Sequence, residues 1–230
     1  MEMSGMPGFP LKFETGHLYV TLDDREWMFD TGSPSSFGTT GALSIDGKEL
    51  KIPAAYMGMD AEQLSEFADH PTSGLLGADV LNQFDVLIDI EQHRITFSKD
   101  EISFEGTSLA LDAFMGIPLL DAQIGGATYR MFFDTGAQVS YFQHRSLSSF
   151  PPAGLLRDFY PGYGQFEAET YQVEATIGGQ TMLLRCGGLP KMLAAGLVMG
   201  GAKGIIGNEI LPGRVTGYFP RRKQLILATS

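Results

Sequence analysis

The stretch Trp27-Met28-Phe29-Asp30-Thr31-Gly32-Ser33 has a near copy later in the chain, Met131-Phe132-Phe133-Asp134-Thr135-Gly136-Ala137. In both copies an apolar run ends in phenylalanine and is followed directly by aspartate, threonine and glycine. A single Asp-Thr-Gly predicts no more than a turn, because aspartate and glycine are common turn residues. Two copies behind equivalent apolar runs instead indicate an internal duplication.

Two further pairs of segments extend this duplication. Gly74-Leu75-Leu76-Gly77 matches Gly204-Ile205-Ile206-Gly207, and Ile45-Asp46-Gly47 matches Ile177-Gly178-Gly179. Asp-Gly and Gly-Gly between apolar runs are typical of two-residue hairpin turns. Each half is therefore predicted to have a strand, an Asp-Thr-Gly loop, a hairpin and a later apolar-apolar-Gly segment in the same order.

Short alternating segments, such as His17–Leu22 and Tyr129–Phe133, are common in both halves. Alternation of apolar and polar residues is typical of strands with one buried face. Many short strands between glycine-rich turns predict an all-β fold of two barrel-like lobes, over residues 1–105 and 106–230, with a cleft between them. Short helices are expected at Ala61–Phe67, Ala78–Gln83 and Asn208–Leu211.

The composition argues against several classes of protein. With a net charge of −11 the chain is not expected to bind nucleic acid, and its basic cluster Arg221-Arg222-Lys223 predicts a solvated hairpin turn. No run approaches the ~18 apolar residues of a membrane span. Residues 1–10 lack a basic segment followed by an apolar one, so we expect a soluble chain without a signal peptide. The compartment, whether cytoplasmic, periplasmic or secreted, stays open.

The remaining reactive residues predict no other chemistry. Cys186 is the only cysteine and lies in an apolar run, which favours a buried structural thiol. The histidines lack metal-ligand spacing and are expected to be incidental; they are His17, His70, His93 and His144. No Gly-x-Ser-x-Gly sequence marks a serine hydrolase. We therefore expect neither a metal nor a cofactor.

If a pseudo-twofold axis relates the two halves, the Asp30 and Asp134 loops face each other across it. Two carboxyl groups a few ångström apart share one proton and titrate as a pair. The ionised member can act as a general base on water, and the protonated member can polarise a peptide carbonyl. The glycines would allow close approach and donate N–H groups, and the threonines would bond between the loops. The expected supporting residues are Thr31, Gly32, Ser33, Thr135, Gly136 and Ala137.

The paired motifs resemble those of the aspartic peptidase family, in both its pepsin-like and its retropepsin-like branches. The family has an apolar residue before each Asp-Thr-Gly and a later apolar-apolar-Gly, and the resemblance covers residues 17–228. It implies an acid-protease fold and an endopeptidase in which Asp30 and Asp134 activate water. It also implies sensitivity to statine-like inhibitors. Each lobe is nearer the size of a retropepsin subunit, so the chain resembles two such subunits fused into one.

The residue after each triplet departs from strict symmetry. Ser33 follows the first triplet, as in the pepsin-like branch, and Ala137 follows the second, as in the retroviral branch. We predict that the Ser33 hydroxyl stabilises ionised Asp30, so that Asp30 carries the charge and Asp134 the proton.

The second half carries an insertion. The spacing from Asp30 to Asp46 is 16 residues, whereas that from Asp134 to Gly178 is 44, and the excess falls near Arg145–Gln172. Family members close the cleft with a hairpin flap that contains glycine and often tyrosine. We therefore expect a single flap, in the second half, with none in the first; a disordered surface loop is the alternative. The flap residues expected to contact substrate are Tyr160, Tyr163 and Gly164. Met57-Gly58-Met59 and Met192 are weaker cleft candidates, since methionine more often fills a core.

Two functional hypotheses follow, beside a third, a retropepsin-like dimer, for which two triplets in one chain make a partner subunit unnecessary. The first is an active aspartic endopeptidase that acts on a peptide or protein substrate as a monomer, since one chain holds both triplets. The second is a catalytically silent peptide-binding or regulatory protein on the same scaffold. Loss of one aspartate would be typical of the second hypothesis, and both aspartates are present. The sequence predicts neither the preferred substrate sequence nor the pH optimum.

Overall fold

A computed structural model describes residues 8–160 and 163–228 of the 230-residue chain. The strands in residues 8–105 are β1 (Gly8–Glu14), β2 (His17–Leu22), β3 (Arg25–Phe29), β4 (Phe37–Gly38), β5 (Ala42–Ile45), β6 (Lys48–Lys51), β7 (Ala55–Tyr56), β8 (Met59–Asp60), β9 (Gly74–Leu76), β10 (Asp85–Asp89) and β11 (Arg94–Ser98). Those in residues 106–228 are β12 (Thr107–Ala110), β13 (Asp112–Phe114), β14 (Ile117–Ile124), β15 (Ala127–Phe133), β16 (Ser140–Phe142), β17 (Pro152–Tyr160), β18 (Gly164–Ile177), β19 (Gln180–Gly187), β20 (Gly204–Ile206), β21 (Val215–Phe219) and β22 (Gln224–Leu227). The α-helices described are α1 (Ala61–Ala68), α2 (Ala78–Leu81) and α3 (Lys191–Met199). Single 3-10 turns lie at Leu147–Ser149, Asn208–Ile210 and Pro220–Arg222.

Both predicted hairpin turns form. Asp46 and Gly47 join β5 to β6 with φ values of 48° and 69°. Gly178 and Gly179 join β18 to β19 with φ values of 58° and 77°. Aspartate and glycine tolerate this left-handed conformation, which matches the twist of the flanking strands. The prediction of an all-β fold is confirmed.

The same strand pairing holds the Asp-Thr-Gly loop in each half. β3 runs parallel to β9, which is also antiparallel to β4. β15 likewise runs parallel to β20, which is antiparallel to β16. The N–H of Asp30 donates to the Leu76 carbonyl at 3.0 Å, and the N–H of Asp134 donates to the Ile206 carbonyl at 3.0 Å. The apolar-apolar-Gly segment therefore forms a strand that fixes the start of each loop.

The two halves of the chain share one sheet. Its strand order is β12-β22-β21-β10-β11-β1-β2-β3-β9-β4, so strands of both halves lie side by side. β10 pairs antiparallel with β21, which places Val86 opposite Tyr218. The largest buried cluster likewise contains residues of both halves, such as Phe29 and Phe133. The boundary near residue 105 therefore lies within a continuous sheet and core.

The basic cluster near the C-terminus supports this shared sheet. Arg221 and Arg222 pair with the two carboxylate oxygens of Asp85 at 2.8 and 2.6 Å. Asp85 on β10 is fully buried and also accepts the N–H of Ile102 at 2.9 Å. The predicted turn forms and Arg221 is exposed, but the pairing of both arginines with a buried carboxylate was not predicted, because the sequence does not show Asp85 beneath them.

The helices agree only in part with the prediction. α1 matches its predicted range and begins at a capping box, in which Gln63 donates its N–H to the Asp60 side chain at 3.0 Å. α2 is shorter than expected, and the predicted helix near residue 208 is a 3-10 turn. α3 was not predicted, because its sequence is apolar nearly all round and includes Gly196. No helix in the described ranges is long and apolar enough to cross a membrane.

Candidate active site

The structure brings the two predicted catalytic loops together, with Asp30 and Asp134 half-buried at the floor of a cleft. One oxygen of each carboxyl group accepts two backbone N–H groups of its own loop. The donors to Asp30 are Gly32 at 2.8 Å and Ser33 at 3.0 Å, and those to Asp134 are Gly136 at 2.9 Å and Ala137 at 3.2 Å. Each carboxyl group is therefore fixed by its own loop and faces the other.

Two threonines join the loops through reciprocal hydrogen bonds. The N–H of Thr31 donates to the Thr135 hydroxyl at 3.0 Å, and the N–H of Thr135 donates to the Thr31 hydroxyl at 3.0 Å. Each hydroxyl donates in turn to a carbonyl of the opposite half, that of Phe133 at 2.8 Å and that of Phe29 at 2.9 Å. Both threonines are fully buried, so these bonds are shielded from water.

The glycines of the triplets leave room for the opposite carboxyl group. A Cβ atom on Gly32 would lie 2.1 Å from the Asp134 carboxyl carbon. A Cβ atom on Gly136 would lie 2.5 Å from the Asp30 carboxyl carbon. Both distances are far below a van der Waals contact, so any side chain at these positions would displace the pair.

In each half, a serine and an acidic residue form hydrogen bonds that support the Asp-Thr-Gly loop. The Ser36 hydroxyl donates to the Asp79 carboxylate at 2.6 Å and accepts the N–H of Gly77 at 2.8 Å. In the second half the N–H of Ser140 donates to Glu209 at 2.9 Å. The motifs in the sequence predicted no role for Asp79 or Glu209. Each lies two residues after the glycine of an apolar-apolar-Gly segment, and that repeated position was the available signal.

The environments of the two aspartates differ. Burial raises the pKa of Asp30, whereas the hydrogen bond from Asp134 and the N–H groups around it favour its ionised form. Burial, together with the negative charge of Asp30, raises the pKa of Asp134 well above its ordinary value. These directions agree with Asp134 as the protonated member.

The cause predicted for this asymmetry is wrong. The Ser33 hydroxyl donates to the Ser35 carbonyl at 2.9 Å, and only the Ser33 backbone N–H reaches Asp30. The sequence could not show which of two nearby acceptors the hydroxyl would choose. We accordingly expect Ser33→Ala to leave the ionisation of Asp30 nearly unchanged.

The insertion in the second half forms a long hairpin, β17 and β18, whose end lies over the cleft. Tyr160 lines the cleft beside both aspartates. Tyr163 is 39% exposed and packs on Phe166 at 6.0 Å, outside the cleft wall. Gly164 begins β18 with a φ of 92°. Residues 161–162 of the predicted flap tip lie outside the described residues.

The first half also contributes a hairpin to the cleft, which the sequence analysis did not expect. β7 and β8 pair for two residues each, and Tyr56 and Met57 at their turn line the cleft together with Tyr160 of the long hairpin. Met59 instead packs in a buried cluster, and Met192 is exposed on α3. The hairpin is too short to produce a clear strand pattern in the sequence.

His17 is a buried residue beside the second loop. The residue is 1% exposed, its ring hydrogen-bonds to the Gln138 side chain at 3.3 Å, and the ring lies 5.9 Å from the Phe159 ring of the long hairpin. Burial lowers the pKa of His17 to about 4. The histidine is thus neutral over most of the pH range and packs the hairpin against the loop. Among residues 8–160 and 163–228, no group of three or more His, Cys, Asp or Glu could hold a metal ion.

Comparison with known proteins supports this architecture. No protein-family model matches the chain, and no curated protein matches it in sequence. Among solved structures, the chain is similar to an aspartic proteinase from Irpex lacteus, with a TM-score of 0.53. The alignment covers 98% of each chain at 13% sequence identity. The chain has the acid-protease fold. At this identity the acid-protease fold is what the likeness establishes, and the function is argued from the site itself.

Proposed function

We propose that the protein is an aspartic endopeptidase in which Asp30 and Asp134 form the catalytic pair. The observation that carries this proposal is the approach of the two carboxyl groups through reciprocal threonine bonds. No turn or structural loop requires two acids held face to face in a cleft, where burial raises the pKa of both.

In the proposed reaction, ionised Asp30 removes a proton from a water molecule that attacks the peptide carbonyl carbon. Protonated Asp134 donates its proton to the carbonyl oxygen, and a tetrahedral intermediate forms. The carbon–nitrogen bond then breaks as Asp30 gives the proton that it took from water to the leaving amine, and Asp134 regains a proton from a hydroxyl group of the intermediate. The chain's own carboxyl groups supply the base and the acid, and the nucleophile is water.

Both loops belong to one chain, so a monomer is the expected active form. The half-buried position of the carboxyl groups leaves them open to water from the cleft. The long hairpin and the shorter β7–β8 hairpin both line the cleft, and an extended peptide could lie along it. A peptide or protein chain is therefore the proposed substrate.

The test is cleavage of a denatured protein between pH 3 and pH 7.5, with and without a statine-containing peptide. We expect the wild type to produce fragments, and we expect Asp30→Asn and the statine peptide each to abolish them. A wild type no faster than Asp30→Asn would refute the enzyme hypothesis and favour the silent binding protein. Binding of the statine peptide would then separate a silent scaffold from a protein that binds no peptide.

A further inference from the structure

The cleft contains a third carboxyl group that the proposed reaction does not use. Asp158 on β17 lines the same cavity as Asp30 and Asp134 and is 8% exposed. It lies two residues before Tyr160, on the strand of the long hairpin that faces the cleft. Buried aspartates are rare unless they are paired, so this group needs an explanation.

The protein supplies Asp158 with two hydrogen bonds. The Tyr141 hydroxyl donates to one carboxylate oxygen, and the N–H of Phe159 donates to the other at 2.8 Å. Tyr141 is itself 2% exposed and lies on β16, directly after the Asp134 loop. These neutral donors hold the carboxyl group in place and leave its charge uncompensated.

No cation of the described residues forms an ion pair with Asp158. Arg185 acts electrostatically on the neighbouring Tyr141, but two of its nitrogens donate to other groups. Its Nε donates to Thr170 at 2.9 Å, and its terminal nitrogen donates to the Leu155 carbonyl at 2.9 Å. No positively charged side chain among the described residues therefore compensates the charge of Asp158.

Apart from the catalytic pair, the cavity beside Asp158 is largely apolar. Its apolar walls include Met28, Leu75, Phe159, Phe166, Leu189 and Ile205. An unpaired carboxylate loses hydration in such a cavity, and a cation that enters it restores much of that loss. A long aliphatic chain with a charged end fits both features, since its methylene groups would contact the apolar walls.

We propose that Asp158 is a specificity-determining residue that binds a lysine or arginine side chain of the substrate next to the scissile bond. This inference rests on the proposed function, because it takes the substrate to be a peptide. It assigns the preference to one side of the bond only. A neighbouring cavity, which shares Asp134 with this one, is lined by Phe114, Phe132, Leu193, Leu197 and Met199 and lacks Asp158, so it would take an apolar side chain.

The preference for a cation should depend on pH. Burial and the nearby Asp134 raise the pKa of Asp158 to about 6, although the Tyr141 and Phe159 hydrogen bonds oppose this rise. Asp30 and Tyr160 also line the cavity, and neither supplies a positive charge. Asp158 is thus ionised above pH 6 and neutral well below it, whereas lysine stays charged throughout. The cation preference should therefore appear as pH rises through 6.

The test compares the binding of uncleavable peptides. Statine-centred hexapeptides are made in pairs that differ only in lysine or norleucine immediately before or after the statine. Dissociation constants are measured by calorimetry at pH 4.5 and pH 7.5 for the wild type, Asp158→Asn and Glu167→Gln. Glu167→Gln is the matched control, because it removes one negative charge from an exposed site on the same hairpin.

We expect the wild type at pH 7.5 to bind the lysine peptide about tenfold more tightly at one of the two positions. That preference should disappear at pH 4.5 and in Asp158→Asn, and it should persist in Glu167→Gln. No lysine preference at either position, an unchanged preference in Asp158→Asn, or no binding of any peptide would overturn the inference. Cleavage of substrates by the wild type is scored separately, so failure of the catalytic proposal is recognised independently.

Discussion

Gly32 and Gly136 determine how closely the two carboxyl groups approach. We predict that Gly32→Ala lowers kcat/KM by about 100-fold or more, because its new Cβ atom would lie 2.1 Å from the Asp134 carboxyl carbon. Displacement of a catalytic group by about 1 Å commonly has an effect of this size. The measurement is steady-state cleavage of a fluorogenic peptide.

Gly41→Ala is the matched control, since a Cβ atom there has no neighbour within 4 Å. It should leave kcat/KM within about twofold of the wild type, as exposed substitutions usually do. Equal activity of Gly32→Ala and Gly41→Ala would mean that the pair is not held as closely as the structure indicates.

The raised pKa of Asp134 has a consequence for stability. An aspartate whose pKa is higher in the folded state binds more protons when folded, so the folded state is favoured at low pH. That contribution is complete below the ordinary aspartate pKa and is lost as pH rises through the raised value of Asp134. At neutral pH the pair therefore destabilises the fold.

We accordingly predict that Asp134→Asn raises the melting temperature more at pH 7 than at pH 4. The replacement removes the cost of ionising a second buried acid and keeps a similar shape. Thermal unfolding by circular dichroism measures the effect, with Asp121→Asn on the exposed face of β14 as the control. If Asp134→Asn raised the melting temperature equally at the two pH values, or more at pH 4, the raised pKa of Asp134 would be contradicted.

Sequence predicted the central residues of the site better than their surroundings. Asp30 and Asp134 were identified because a repeated motif marks them, and the repeat also marks their threonines and glycines. Asp158 carries no such mark, since its importance comes from the folding of the hairpin over the cleft. The acceptor of the Ser33 hydroxyl also depends on loop geometry, which composition does not specify.

At the scale of the elements, the Asp85 cluster connects β10 to the turn between β21 and β22. Asp85→Asn should reduce the free energy of unfolding by about 3 kcal/mol, because removal of a buried partner leaves two arginines uncompensated. Urea unfolding measures this loss. The exposed pair of Asp112 and Arg130 is the control, and Asp112→Asn should reduce the free energy of unfolding much less than Asp85→Asn. Equal losses for the two variants would show that Asp85 contributes no more than a surface ion pair.

A strand, helix or turn could be predicted where its own residues form a distinctive local pattern. The hairpins at Asp46-Gly47 and Gly178-Gly179 were predictable because the turn residues themselves require the observed backbone conformation. α3 has neither an amphipathic stripe nor a side-chain cap, and the pairing of β10 with β21 joins segments far apart in sequence. Such long-range contacts leave no trace in local periodicity.

For the whole molecule, the shared sheet places two loops of one chain in the relation that the proposed reaction requires. β10 and β21 hold the halves together, and the threonine bonds join their loops at the floor of the cleft. The long hairpin belongs to the second half, yet Phe159 packs on Phe67 of the first half at 5.5 Å. The cleft is therefore assembled from both halves, and neither half alone contains a complete site.

The most direct test of the catalytic pair is a double-mutant cycle on kcat/KM for one cleaved peptide. Asp30→Asn, Asp134→Asn and the double variant are compared with the wild type at the pH of greatest activity. Residues that act as one unit show strongly non-additive losses, so each single variant should lose about as much activity as the double variant. A single variant that keeps more than about a tenth of the wild-type activity, or losses that add, would contradict a shared catalytic role for Asp30 and Asp134.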